Sequence, residues 1–512
     1  MTNGRRPVLA LEQGRVRGVA EGPVVAFRGI PFAASPVGAL RFAPPAPHPG
    51  WADVREAGHS GPAAPQGPSR LEAVMGRREP DWAEDGCLSL NVWASAGPLA
   101  EGAAPRPVLL WWHGGGFSSG SGGWAWYDGA RLAARGDVVV VTANYRLGPL
   151  GYLYLPEIGA ANLGSQDQGA ALRWVRDNIA AFGGDPARIT VGGQSAGAYS
   201  AVAMAVDPAT SDLVHAVIAQ SGPWALAPAD PAVASETAAA YLRVLDVDPA
   251  GDVGGQLRSL PVERLLAGYA ELATGHARPG SIAPPMSPVL GPGLPVALSE
   301  AVRDGALGGR KVLVGTTRDE MAAFFAPNPA VQALSRDEVL AVLAEQLRHP
   351  AADPVAARST GADPAGADPA VAAERVYADR AAGRPDVRPA RILTELATER
   401  MFTAGVTELA DHCAAGGGAA YVYRFSRRPP GDDGTLGSVH CAELPFVFDA
   451  FDAYPDAPML GAVDAGDRAL ARAVSGAFAA FVATGSPNAP GLADWAPHRP
   501  GSTEEIMRFG PA

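Results

Sequence analysis

The chain has 512 residues, room for several small domains or one large body with insertions, and its 47% hydrophobic and 18% charged residues suit an ordinary globular protein. A formal net charge of −12 disfavours nucleic acid or an anionic membrane as a partner, because binding a polyanion requires a basic surface. No apolar run approaches the roughly 18 residues of a membrane span, and Met1 to Pro7 lack an apolar leader. Three cysteines, Cys87, Cys413 and Cys441, are too few for a disulfide framework and point to a reducing cytoplasm.

Residues 8 to 45 are rich in strand and turn signals, with a hairpin expected at Gly14–Gly18 and a strand leading through Phe27–Phe32 into a proline-punctuated loop. After a loop-like stretch, Leu88–Trp93 alternates as a strand does. The near-continuous apolar runs Val108–Trp112 and Val138–Val141 suit strands buried on both faces of a sheet. Gln166–Phe182 has helical spacing at Ala170, Leu172, Val175 and Ile179, and Gly183-Gly184-Asp185-Pro186 stops it. Further strands are expected at Arg188–Val191, Ala216–Gln220, Lys311–Gly315 and Tyr421–Phe425. Strands alternating with helices indicate an α/β sheet. Between Trp224 and Leu290, and again between Phe324 and His412, the chain is alanine-rich and helical in period, so helical insertions over the sheet's carboxyl edge are expected at about 224–290 and 324–412 of a single 1–512 domain. Pro350–Pro369 reads as an exposed loop.

Within this order, Gly193-Gln194-Ser195-Ala196-Gly197 follows a strand and opens a helix, the context of a nucleophile elbow. A serine hydroxyl is a poor nucleophile near neutral pH and needs a histidine base fixed by an acid. Of the histidines near or beyond this helix (His215, His276, His349, His412, His440 and His498), His412 reads as a helix-end residue, whereas His440 lies in a loop beyond a strand, where an α/β enzyme places its base. Asp319 and Glu320 lie just past the Lys311–Gly315 strand, and either could be the acid. His113-Gly114-Gly115-Gly116-Phe117 follows another strand, and its glycines expose N–H groups to a substrate oxyanion. No lysine follows as a phosphate-binding loop would require, and His113 is expected to shape the loop.

Taken together, these stretches resemble the type B carboxylesterase family, the carboxylesterase and cholinesterase branch of the α/β-hydrolase fold, and most of all its bacterial para-nitrobenzyl esterase members. The resemblance is also carried by Phe27–Phe32 with Leu40-Arg41-Phe42, Glu84–Val92, Asn144–Gly148, Asn178–Pro186, Gln220-Ser221-Gly222, His440–Phe446 and Thr484–Asn488. It implies a central, mostly parallel sheet with helices on both faces. By position it implies Ser195 as nucleophile, His440 as base, Glu320 as acid, and Gly115, Gly116 and Ala196 as oxyanion donors. It also implies Ser221 bonded to Glu320, and structural ion pairs Arg41–Glu84 and Arg146–Asp167. Apolar residues expected at the substrate are Phe117, Trp224, Phe324, Met401 and Phe402. Four departures stand out: Gln194 where the family has Glu, Ala198 and Met321 where it has Gly, and the extra Gly86 before a Cys87 that no earlier cysteine can pair.

The expected activity is hydrolysis of small to medium apolar or aromatic carboxylic esters through an acyl-enzyme, with no metal or organic cofactor, by a monomer or small homo-oligomer. A lactone, carbamate, aryl amide or polyester fragment is the alternative substrate. A non-catalytic binding protein of the same fold is the alternative class, and the joint presence of Ser195, Glu320 and His440 argues against it. The triple glycine resembles the motif that makes room for bulky tertiary alcohol esters.

Overall fold

The computed structural model describes residues 6–78, 81–96, 103–224, 228–276, 280–348, 368–502 and 504–511. Thirteen strands are found: β1 Val8–Leu11, β2 Gly14–Arg17, β3 Val19–Glu21, β4 Val24–Pro31, β5 Val54–Glu56, β6 Ser89–Ser95, β7 Arg106–Trp112, β8 Val139–Ala143, β9 Gly184–Gln194, β10 Ala216–Gln220, β11 Lys311–Thr317, β12 Ala419–Phe425 and β13 Met507–Phe509. β1, β2 and β5 make a small sheet, and the other ten form one sheet in the order β13-β12-β11-β10-β9-β7-β8-β6-β4-β3. The neighbours from β13 to β8 run parallel, while β6, β4 and β3 complete the other edge antiparallel.

Both faces of the parallel part are covered, which is why β7 and β8 read as continuous apolar runs. Val108, Leu110 and Trp112 enter one core with the helices Leu163–Asn178 and Ala196–Val206. Their alternates Leu109 and Trp111 enter a second core with the helix Ala465–Thr484. The sheet is therefore the α/β-hydrolase arrangement expected from the sequence.

Between β10 and β11 lie the helices Pro231–Val244, Val253–Ser259 and Val262–His276, whose Tyr241, Leu257 and Leu265 extend the first core. Between β11 and β12 lie Arg336–Leu347, Pro369–Ala381, Pro389–Thr398 and Ala404–Ala415. These build a core of their own from Val339, Tyr377, Ile392 and Phe402, joined by Met321 and Phe325 just past the carboxyl end of β11. Among the described residues no helix is long and apolar enough to cross a membrane.

Two local expectations change. Gly14–Gly18 is not itself a hairpin: Gly14–Arg17 is the second strand of one, and the turn is Glu12-Gln13, with Leu11 opposite Gly14. The last two residues of Pro350–Pro369 start a helix, with the Asp368 carboxylate accepting from the Ala370 N–H, and the rest of that stretch, with His349, lies outside the described residues.

Candidate active site

Ser195 stands at the carboxyl tip of β9, half-buried in a run of buried residues, with φ 58° and ψ −124°. The turn needs its flanking glycines: a Cβ on Gly193 would lie 2.3 Å from the Gly197 carbonyl oxygen, and one on Gly197 would lie 2.1 Å from the Trp112 oxygen. The Ser195 N–H donates to the Gln220 carbonyl at 2.8 Å, which ties the elbow to the tip of β10.

The triple glycine runs beside it. Gly115 and Gly116 have φ of 115° and 60°, and a Cβ on Gly115 would lie 2.0 Å from the Ser119 oxygen. Among the described residues neither of their N–H groups donates to a backbone carbonyl. The Ala196 N–H, first of its helix, has no preceding turn to donate to. The loop is pinned from outside. The Tyr145 hydroxyl donates to the His113 carbonyl at 2.8 Å, and the Gln66 amide both donates to and accepts from the Gly120 backbone. His113 stacks on Tyr145 with ring centroids 4.4 Å apart, and burial pulls its pKa down to about 4, so it is a neutral spacer in this loop.

At the tip of β11 the two carboxylates separate. Glu320 Oε2 accepts from His440 Nδ1 at 2.6 Å, its Oε1 accepts the Thr317 N–H at 2.7 Å, and both Glu320 and His440 are fully buried. Asp319 points the other way. It binds Arg391 at 2.6 Å, Arg318 at 2.9 Å and the Ser438 N–H at 2.9 Å, while its own N–H donates to the Ser438 carbonyl. Burial would raise the Asp319 pKa, but the Ser438 N–H and the two guanidiniums more than offset it and hold the pKa below the usual value. Asp319 thus clamps the His440 loop to β11.

With Nδ1–H given to Glu320, His440 Nε2 is an acceptor, and the Gln194 amide donates to it at 3.1 Å. Among the described residues no hydrogen bond joins Ser195 Oγ to His440. Among the described residues no hydrogen bond joins Ser221 to Glu320, and the Ser221 hydroxyl lies near the buried Glu443 carboxyl without a hydrogen-bond partner. Burial first, and the nearby Glu320 charge second, push Glu443 up to about 8. Ser221 and Cys441, like Ser195, are non-glycine residues with positive φ, at 50° and 72°.

A narrow cavity opens above Ser195. It is lined by Gly115, Gly116, Phe324, Met401 and Phe402 among others, with the Phe402 and Phe324 rings 5.0 and 5.5 Å from the His440 ring. Met401 and Phe402 are delivered by a π-helical turn, Glu399–Thr403, an irregularity that residue spacing does not show. Two expected lining residues are elsewhere. Phe117 is fully buried against Tyr152 and Tyr199, a support of the glycine loop. Trp224 packs into the space left by Gly222 and Gly405, where a Cβ on either would come within 2.3 Å of it. The ion pairs are as expected: Arg146–Asp167 is buried and bidentate at 2.7 and 2.8 Å, and Arg41–Glu84 is mostly buried. Met321 stands at φ −70°, so no glycine is needed there.

The sequence carries no signal of a role here for Glu443 or Arg70, and for Gln194 it shows only a negative charge removed from beside the serine. Glu443 is a carboxylate set in an otherwise apolar run, which marks the position and not its use. Arg70 came from a stretch with loop signals alone. The Gln194 contact with His440 spans 246 positions and has no local signature.

A model of the carboxylesterase family matches residues 5–511. The chain belongs to the carboxylesterase family. This esterase is 35% identical to a phenmedipham hydrolase of Pseudarthrobacter oxydans over 96% of its own length and 92% of the relative's. It is 33% identical to a para-nitrobenzyl esterase of Bacillus subtilis (strain 168), over 98% and 94%. Its fold superposes on a Geobacillus stearothermophilus carboxylesterase with a TM-score of 0.81 and 34% identity, covering 99% of this chain and 96% of that one. The esterase is a carboxylic-ester hydrolase.

Proposed function

We propose that this esterase cleaves small to medium apolar or aromatic esters with Ser195 as nucleophile, His440 as general base and Glu320 as the acid that orients it. The observation that carries the reading is the buried 2.6 Å contact of His440 with Glu320 beneath a cavity lined by Ser195, Gly115 and Gly116.

The Glu320 carboxylate holds the imidazole as the Nδ1–H tautomer and stabilises the cation that forms. Ser195 Oγ must displace the Gln194 amide from His440 Nε2 to pass its proton there. The alkoxide character then attacks the ester carbonyl, and the tetrahedral oxyanion is held by the N–H groups of Gly115, Gly116 and Ala196. His440 returns the proton to the leaving alcohol. Water, deprotonated in turn by His440, hydrolyses the acyl-enzyme. Phe324, Met401 and Phe402 give the acyl or alcohol portion an apolar wall. Three buried free thiols, Cys87, Cys413 and Cys441, suit a soluble enzyme of the cytoplasm.

Steady-state hydrolysis of p-nitrophenyl acetate, butyrate, octanoate and palmitate by wild type and Ser195→Ala tests the reading. Wild-type turnover of short esters with a loss of about a thousand-fold or more in the variant is expected. Equal activity of the two proteins would remove Ser195 from the mechanism.

A further inference from the structure

Among the described residues, Arg70 is the one ionisable side chain lining the cavity above Ser195. Its side chain is exposed to solvent at the cavity mouth, and the protein packed on one side of it lowers its pKa from the ordinary guanidinium value. A guanidinium stays protonated under such a shift. The Nη1 donates to the Ile282 carbonyl at 2.8 Å, which anchors the group at the cavity. The Nη2 lies 2.7 Å from where a Cβ on Gly116 would stand, so the missing side chain of Gly116 opens the cavity floor to the cation, beside the oxyanion N–H groups.

No carboxylate of the described residues balances this charge. The one electrostatic partner acting on Arg70 is Tyr269, whose phenol is pushed up to about 12 by burial and is therefore neutral. Gln194, next to the serine, adds no negative charge either. A guanidinium anchored through one Nη on the cavity wall, with no carboxylate of the described residues facing it, suits a planar anion, since two parallel N–H groups match two carboxylate oxygens.

We propose that Arg70 forms an anion subsite of the substrate cavity, and that the preferred substrates are esters carrying a free carboxylate in addition to the scissile bond. This rests on the hydrolase reading of Ser195. The carboxylate docks on Arg70 while the ester carbonyl enters the Gly115–Gly116 donors next to it, so the ion pair aligns the bond for attack.

Two probe pairs test this. In one the carboxylate is on the alcohol side, 4-acetoxybenzoate against neutral 4-acetoxybenzamide. In the other it is on the acyl side, mono-4-nitrophenyl adipate against 4-nitrophenyl hexanoate. The quantity read is the ratio of kcat/KM for the anionic over the neutral ester in each enzyme, so a general loss of activity or folded protein cancels. In at least one pair the wild-type ratio should exceed that of Arg70→Gln by about ten- to a hundred-fold, the range of a charge-assisted hydrogen-bonded pair. Arg70→Lys, which keeps the charge but loses the fork, should fall between. Independently of any variant, 4-hydroxybenzoate should inhibit the wild type about tenfold more tightly than 4-hydroxybenzamide. Equal ratios in wild type and Arg70→Gln for both pairs, or equal inhibition by the two phenols, overturn the subsite. A wild type that leaves all four esters intact overturns the hydrolase reading itself, and the subsite with it.

Discussion

Gln194 Nε2 lies 3.1 Å from His440 Nε2, so the ring nitrogen that the proposed base would offer to Ser195 is held by an amide. A glutamine can only donate to, or release, that nitrogen. A carboxylate in the same place would favour the protonated imidazole, which is useless as a base. Gln194→Glu is therefore expected to move the acidic limb of the kcat/KM profile to higher pH by about one unit, with the plateau above it less affected. A pH–rate series on p-nitrophenyl butyrate checks this, and an unmoved acidic limb would show that the residue does not sense the base.

Glu320→Gln keeps the volume of the acid but removes the charge that fixes the imidazole tautomer. The expected loss in kcat is about ten-thousand-fold, as for a triad acid replaced by its amide. The variant should still fold, because the exchange conserves side-chain volume at a fully buried position. Kinetics and circular dichroism together separate this from simple unfolding.

Glu443 gives a stability prediction whose sign follows from its raised pKa. Between the ordinary carboxylate value of 4.5 and about 8 the folded chain holds a proton that the unfolded chain releases, so this group's contribution to stability falls as pH rises through that window. Glu443→Gln cannot ionise. Its melting temperature relative to wild type should climb from about pH 5 to about pH 8 and then level off. Thermal unfolding across that range is the check, and a constant difference would contradict the assignment.

The Arg146–Asp167 pair is fully buried, and Arg146 also donates to the Ala43 carbonyl at 2.7 Å. Asp167→Ala strands the guanidinium in the core and should destabilise the fold by about 3–5 kcal/mol. Urea titration measures it. The residual folded protein should keep its kcat, because neither group borders the cavity.

Much of the frame could be read from residues alone because it rests on local rules. The double-faced apolar runs of β7 and β8, the Gly183 stop and the Gly193-x-Ser195-x-Gly197 spacing each record a packing constraint within a few positions. What was not legible depends on long-range geometry. Asp319 and Glu320 are adjacent and chemically alike, and only the side on which Arg391 and Ser438 approach separates a clamp from a partner of His440. Ser221 was expected at Glu320, and the carboxyl beside it is Glu443, far along the chain, which no local pattern pairs with it. Phe117 and Trp224 are large apolar residues next to motif glycines, and a sequence cannot say whether such a ring faces a cavity or fills the space beside it. The π-helical turn at Glu399–Thr403 shifts the register of its helix, so Met401 and Phe402 reach the cavity together.

Ser195, Ser221 and Cys441 all hold backbone angles that glycine adopts more readily, each at an expense of about 1–3 kcal/mol. A library of this esterase screened for heat resistance alone would therefore drift toward glycine at these positions, and at Ser195 the most durable clones would be the dead ones. Any campaign to harden the enzyme has to score turnover in every round, because at Ser195, the proposed nucleophile, ruggedness and chemistry compete for the same residue.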